Sequence, residues 1–187
     1  DNLGDWSSDV CSSDLYFEEI FLNDKDIPYE LKKPKYWTDE FIDWETQNRS
    51  KEQRENKWIT VYDGIVTERV IGGNLNTMQG IWGSEYMPTI KEGDILFIED
   101  SLKDAATIER SFSLLKLNGV FEKISGIILG KHELFDDLKT GRKPYEILLE
   151  VLGETKIPFI ADFDCCHTHP MMTMPIGATI ELDATNK

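Results

Sequence analysis

Three short apolar runs, Asp94-Ile-Leu-Phe-Ile98, Ser125-Gly-Ile-Ile-Leu-Gly130 and Lys156-Ile-Pro-Phe-Ile160, most constrain what this chain can fold into. Runs this short with no polar alternation read as strands covered on both faces. Helical patterns separate them. Asp104 is placed as an N-cap, and Ile108, Phe112 and Leu115 then recur at i, i+4 and i+7 before Gly119 stops the helix. Thr140-Gly-Arg-Lys-Pro144 reads as a turn, with Pro144 opening a helix that runs to Leu152. Ala178-Thr-Ile-Glu-Leu182 is a last strand. Strands alternating with helices imply an α/β domain with a largely parallel sheet and flanking helices.

Upstream, Trp58–Tyr62 and Ile65–Ile71 flank Asp63-Gly64, a turn pair that favours a type I′ β-hairpin. Gly72-Gly73-Asn74-Leu75-Asn76 is expected to break the second strand and start a short helix through Trp82. Tyr16 to Leu22 reads as a helix end and Ile27 to Leu31 as a short strand. The polar stretch from Lys33 to Asn56 carries Tyr36, Trp37, Phe41 and Trp44. A long loop that spends aromatics either buries them beneath itself or presents them to a ligand.

The start has a different texture. Trp6-Ser-Ser-Asp-Val-Cys-Ser-Ser-Asp-Leu15 is a near-tandem repeat with no amphipathic period. It resembles translated sequencing-adapter read-through more than evolved protein, the other reading being an ordinary polar loop, and is set aside from fold reasoning. The expected organisation is therefore a non-native segment at 1–15, the end of a preceding domain with the aromatic loop at 16–56, and a C-terminal domain at 57–187.

The net charge of −15 argues against nucleic acid or an anionic membrane as partner. No apolar run approaches the length of a membrane span and no secretory leader opens the chain, which fits a soluble, cytoplasmic protein. Cys11, Cys165 and Cys166 form no disulfide framework, in keeping with a reducing compartment. No phosphate-loop or nucleophile-elbow motif is present, and no cofactor is expected.

The chemistry concentrates after two strand ends. Ala161-Asp-Phe-Asp-Cys-Cys-His167-Thr-His169-Pro170 puts an imidazole just past one strand, and Glu99-Asp100 follows another. Loops at strand ends carry active-site residues because a rigid sheet fixes them. A carboxylate that accepts the Nδ1 proton of an imidazole supplies two thirds of a hydrolytic triad. Alternatives stay open at this point. Glu99 could cap its loop or pair with a lysine, His169 could compete with His167, and Gly72-Gly73 could hold an anion. Asp162, Asp164, Cys165, Cys166, His167 and His169 have the ligand types of a zinc site, but without the paired spacing such sites use.

Together, Ile71-Gly-Gly-Asn-Leu-Asn76, Ile95-Leu-Phe-Ile-Glu99-Asp100, Gly126-Ile-Ile-Leu-Gly130 and His167-Thr-His-Pro-Met-Met-Thr-Met-Pro-Ile-Gly177 resemble the C-terminal half of the LD-carboxypeptidase family of serine peptidases. The match is strongest to its microcin C self-immunity branch and runs from about Tyr16 to the end. The resemblance implies a Ser nucleophile on an N-terminal domain, working with a Glu and a His that fall on Glu99 and His167. It also implies substrate contacts at Asn76, Lys103, Glu133 and a loop tryptophan, for which Trp44 is preferred over Trp37. The implied substrate is an aminoacyl-nucleotide of the microcin C type, with murein tetrapeptides or non-catalytic ligand binding as alternatives; a homodimer is left open. Cys166 stands where many relatives have Gly. The family's Gly-aromatic-Ser-Asp nucleophile turn does not occur in this sequence, Ser8-Asp9 and Ser13-Asp14 lacking the preceding pair, so the chain alone is expected to be inactive.

Overall fold

The computed structural model describes residues 16–22, 28–43, 45 and 48–186. Its strands are β1 (Tyr36–Trp37), β2 (Arg54–Glu55), β3 (Ile59–Tyr62), β4 (Ile65–Asn74), β5 (Ile95–Glu99), β6 (Gly126–Gly130), β7 (Phe159–Phe163) and β8 (Thr179–Asp183). The α-helices are α1 (Leu75–Ile81), α2 (Ala105–Leu117) and α3 (Pro144–Leu152), preceded by a short helical turn at Glu18–Leu22. β1 and β2 form their own antiparallel ladder; the other strands form one sheet in the order β3-β7-β6-β5-β4-β8. The pairs β4–β5, β5–β6 and β6–β7 are parallel, and antiparallel β3 and β8 close the two edges. The parallel core read from the three apolar runs is present, as is the mixed α/β class.

Both faces of the central strands are buried, which explains the unbroken runs. Leu96, Ile98, Ile127, Leu129, Phe159 and Ala161 face α2 and α3, meeting Ile108, Phe112, Leu115, Ile147, Leu148 and Leu152. Ile95, Phe97, Ile128, Ile160 and Phe163 face the opposite cluster with Trp58, Val70, Met172, Leu182 and Ala184. The helix starts follow ordinary capping. Asp104 accepts from Thr107 N at 2.7 Å, and Glu146 reaches back to the backbone N–H of Lys143 at 2.7 Å beside Pro144. Backbone N–H donation from Thr107 holds the Asp104 carboxyl below its usual range.

Two expectations need correction. The Asp63-Gly64 turn joins β3 to β4, but these strands do not pair: β3 lies against β7 while β4 lies between β5 and β8. The sheet curls instead, so that Ala184 N donates to Gly64 O at 2.9 Å and Thr60 Oγ1 to Ala184 O at 2.7 Å. The polar alternation of β4 is answered by β8, a strand over a hundred residues later in the chain, which no local turn signal could reveal. Second, Pro28–Leu31 carries no strand; Leu31 is held by packing on the second cluster rather than by a ladder, and Ile27 lies outside the described residues.

The segment Gly72–Asn76 ends β4 and starts α1 as expected, the strand running through both glycines to Asn74 before Leu75 opens the helix. Gly72 has φ +136°, and a Cβ there would lie 1.7 Å from Phe97 O across the parallel ladder. Glycine is needed here because backbone approaches backbone. Gly72→Ala should cost about 3 kcal/mol or more by combining a left-handed φ with overpacking, read as a lower urea midpoint.

His132, just past β6, packs edge-on to Phe112 and Phe135, each 6.5 Å between ring centroids. Its Nδ1 lies 3.1 Å from Gly130 O, an acceptor, so the proton sits on Nδ1 and the sealed Nε2 carries a lone pair. Burial pushes this imidazole down to about 4. Between about pH 6.5 and 4 the unfolded chain takes up a proton that the native chain refuses, so stability is full above this window and falls as pH drops through it. In His132→Gln the slope of unfolding free energy across the window should flatten by up to about 1.4 kcal/mol per pH unit, measured by urea titration at pH 7, 6 and 5.

Candidate active site

The parallel strands end on one edge, and the chemistry gathers there. Glu99 is the last residue of β5 and its side chain is only 8% exposed. Its two carboxylate oxygens have different partners: Asn74 Nδ2 donates to Oε1 at 3.1 Å, and His167 Nδ1 lies 3.1 Å from Oε2. A carboxylate only accepts, so Nδ1 carries the imidazole proton and Nε2 keeps its lone pair. The ring of His167 is 52% exposed, so this pair has a buried anchor and an open working end. Chemically it is a carboxylate-oriented base, able to take a proton at Nε2 and return it.

Asn74, which was not among the expected site residues, is the partner of Glu99 on this side. It sits opposite Glu99 in the β4–β5 register and is also the N-cap of α1, its Oδ1 accepting from Thr77 N at 2.9 Å. Its amide thus spends one end on the helix and the other on the carboxylate. Asn before a short helical run is an N-cap signal and could have drawn attention to it. Asn76 itself is exposed on the first turn of α1.

The loops after β5 and β6 are zipped together. Ser101 and Glu133 bridge in parallel, Leu102 N donates to Glu133 O at 2.9 Å, and Asp136 N donates to Lys103 O at 3.1 Å. Lys103 Nζ bonds Ser101 O at 3.2 Å and lies 3.8 Å from Asp100 Oδ1. Glu133 is half-buried beside the pair: burial pushes its carboxyl up, the charges of His167 and Lys51 pull it down, and Asp39 and Glu99 push it up. Glu133 therefore shares the electrostatic field of Glu99 and His167, and the aromatic stretch reaches that field through Asp39 and Lys51. Gly130 makes room for the arrangement, since a Cβ there would lie 2.7 Å from Glu99 Cβ and 3.1 Å from Cys165 O.

Trp44 lies outside the described residues. Trp37 is already engaged by cations, with Arg54 5.1 Å and Lys131 5.2 Å from its ring centroid. The zinc ligand set does not come together. Asp164 pairs with Lys131 at 2.6 Å, the Cys166 thiol lies 2.9 Å from Thr168 Oγ1, and among the described residues no group of three or more His, Cys, Asp or Glu side chains is placed to hold a metal. Burial pushes the Cys165 thiol up to about 12 and that of Cys166 to about 11, so both stay protonated and inert. His169 is bound by its backbone to Thr38, which fixes the far side of the His167 loop. Among the described residues no helix is long and apolar enough to cross a membrane.

The chain is 55% identical over 161 residues to the microcin C7 self-immunity protein MccF of Escherichia coli, covering 85% of this chain and 47% of the relative. It is 54% identical over 158 residues to a Vibrio cholerae protein described as a carboxypeptidase, covering 84% and 47%. The chain thus spans about half the length of these curated relatives. The solved structure of MccF with aspartyl sulfamoyl adenosine superposes with a TM-score of 0.91 at 51% identity, over 96% of this chain and 54% of that one. MccF with glutamyl sulfamoyl guanosine matches at 0.91 and 50% identity, over 95% and 54%. The family model for the LD-carboxypeptidase C-terminal domain matches residues 67–182, and the chain belongs to that family.

Proposed function

We propose that this chain supplies the Glu–His half of a serine carboxypeptidase active site that hydrolyses the acyl bond of an aminoacyl-nucleotide of the microcin C type. The observation that carries this reading is the 3.1 Å contact between His167 Nδ1 and a buried Glu99 carboxylate, at the carboxyl edge of a parallel sheet. Its substrate class is supported by relatives solved with aminoacyl sulfamoyl nucleosides.

In this mechanism a serine from a preceding domain attacks the aminoacyl carbonyl, and His167 Nε2 takes its proton as the bond forms. The imidazolium is stabilised by the Glu99 carboxylate, and it then protonates the departing nitrogen. Water, deprotonated by His167 Nε2, then attacks the acyl-enzyme carbonyl, and the imidazolium returns that proton to the serine oxygen as the amino acid leaves. Asn74 holds the second oxygen of Glu99, so the carboxylate cannot rotate away from the imidazole. Lys103 and Glu133 stand on the zipped loops beside the pair as substrate contacts, the ammonium suited to the linker oxygens and the carboxyl to a free amino group. Asn76 and Trp44 complete the proposed contacts, the tryptophan by stacking on the base.

Calorimetry tests the binding half on this chain directly, with aspartyl sulfamoyl adenosine as titrant; a murein tetrapeptide that binds instead would move the substrate class. In a protein that joins this chain to its nucleophile-bearing domain, Glu99→Gln should lower kcat by about 10³–10⁴ and His167→Ala by at least as much, with aspartate release as the assay. Aspartate release by the 187-residue chain alone, abolished by His167→Ala, would sink the assignment of the nucleophile to another domain.

A further inference from the structure

Three residues before the exposed imidazole lies a buried charge whose bonds run to separate parts of the chain. Asp164 is 0% exposed and Lys131 3%. Lys131 Nζ donates to Asp164 Oδ1 at 2.6 Å and also to Asp162 O. Asp164 Oδ2 accepts from Asn56 Nδ2 and from Trp58 Nε1, each at 2.7 Å. Two unit charges removed from water are costly, and geometry this complete is what makes them tolerable. Nothing in the proposed reaction needs them, so their arrangement calls for another explanation.

The partners supply one. Asn56 also bonds Pro34 O at 2.9 Å through its side chain and Lys35 O at 3.1 Å through its backbone. Lys131 lies over the ring of Trp37, and Trp58 packs on Phe163 with centroids 4.7 Å apart. The aromatic stretch between Pro34 and Trp58 is thus tied at its base to Asp164. On the other side, Asp164 O accepts from Met172 N at 2.7 Å, closing the segment that contains His167 into a loop. Thr38 and His169 exchange backbone bonds of 2.8 and 2.9 Å, a second tie between the same two segments. His167 is suspended between these ties.

We propose that Asp164 is a positioning residue that locks the two ends of the aromatic stretch, at Pro34–Thr38 and Asn56–Trp58, to the His167 loop, so that a nucleotide held beside them and the imidazole that serves it share one rigid frame. The proposal rests on the reading of the site given above for its ligand, but not for its structural claim. Asp164 touches no reacting atom; it acts through Asn56, Trp58 and Lys131. Binding energy gained at the aromatic stretch is thereby spent on holding Nε2 in place, as orientation requires.

Asp164→Asn keeps the shape and removes the charge. The readouts are the downfield Nδ1 proton resonance of His167, a signature of its bond to Glu99, and calorimetric affinity for aspartyl sulfamoyl adenosine, both on the 187-residue chain. The expected result is loss or broadening of that resonance and binding weaker by about tenfold, while β5 and β6 amides keep their exchange protection. A retained resonance with the core intact would overturn the proposal. If Asp164→Asn does not fold, the paired variant Asn56→Ala/Trp58→Phe cuts the same ties and leaves the Lys131–Asp164 pair in place; the same loss supports the proposal and an unchanged resonance overturns it. Wild-type chain that shows the resonance but binds no nucleoside analogue would count against the proposed substrate class alone, because the resonance is read without ligand.

Discussion

Parallel pairing of β4, β5, β6 and β7 is the constraint on which the rest depends. Parallel strands deliver all their carboxyl ends to one edge, so Glu99, the Lys131–Glu133 loop and the His167 loop emerge side by side although they are far apart in sequence. The pairing is close enough at Gly72 that only glycine fits against Phe97 O. That contact in turn sets the register in which Asn74 stands opposite Glu99. The carboxylate is thus oriented by the sheet from one side and by the imidazole from the other.

Energy is distributed unevenly between the two faces of this sheet. The helical face is mainly apolar, with Phe112, Leu115, Ile147 and Leu148 fully buried and the ring of His132 packed against Phe112, and the hydrophobic effect accounts for most of it. The other face contains the Asp164–Lys131 pair within its hydrophobic cluster. Charges in such a place contribute little net stability, and breaking one partner is costly because the other is left uncompensated. What they add is directional bonding: Asp164 collects donors from Lys131, Asn56 and Trp58, whereas apolar packing would tolerate several orientations of the same loops.

Much of this was legible in the residues themselves, for identifiable reasons. The runs Ile95–Ile98 and Ile127–Leu129 lack polar alternation because each has neighbours on both faces, and Asp104 and Pro144 announced their helices through capping chemistry that is local. Strand ends followed by Glu99 and His167 pointed to one edge of a parallel sheet. Other features misled. Asp63-Gly64 is a hairpin pair by local preference, yet β4 found better partners in β5 and β8. The strand-to-helix change expected within Gly72–Asn76 is present, although Gly72 itself is there for close backbone approach to Phe97 rather than for the break.

Local pattern by itself determined the α/β class, the helix starts and the placing of a carboxylate and an imidazole just past strand ends, because capping and burial act over a few residues or demand one composition. Tertiary structure decided the curl that carries β8 back toward β3, the choice of Asn74 as the partner of Glu99, and the convergence of Asn56, Trp58 and Lys131 on Asp164. Those contacts join residues separated by 25 to 124 positions. Their geometry exists only once the sheet has set its register, since no spacing along the chain encodes which strand ends become neighbours.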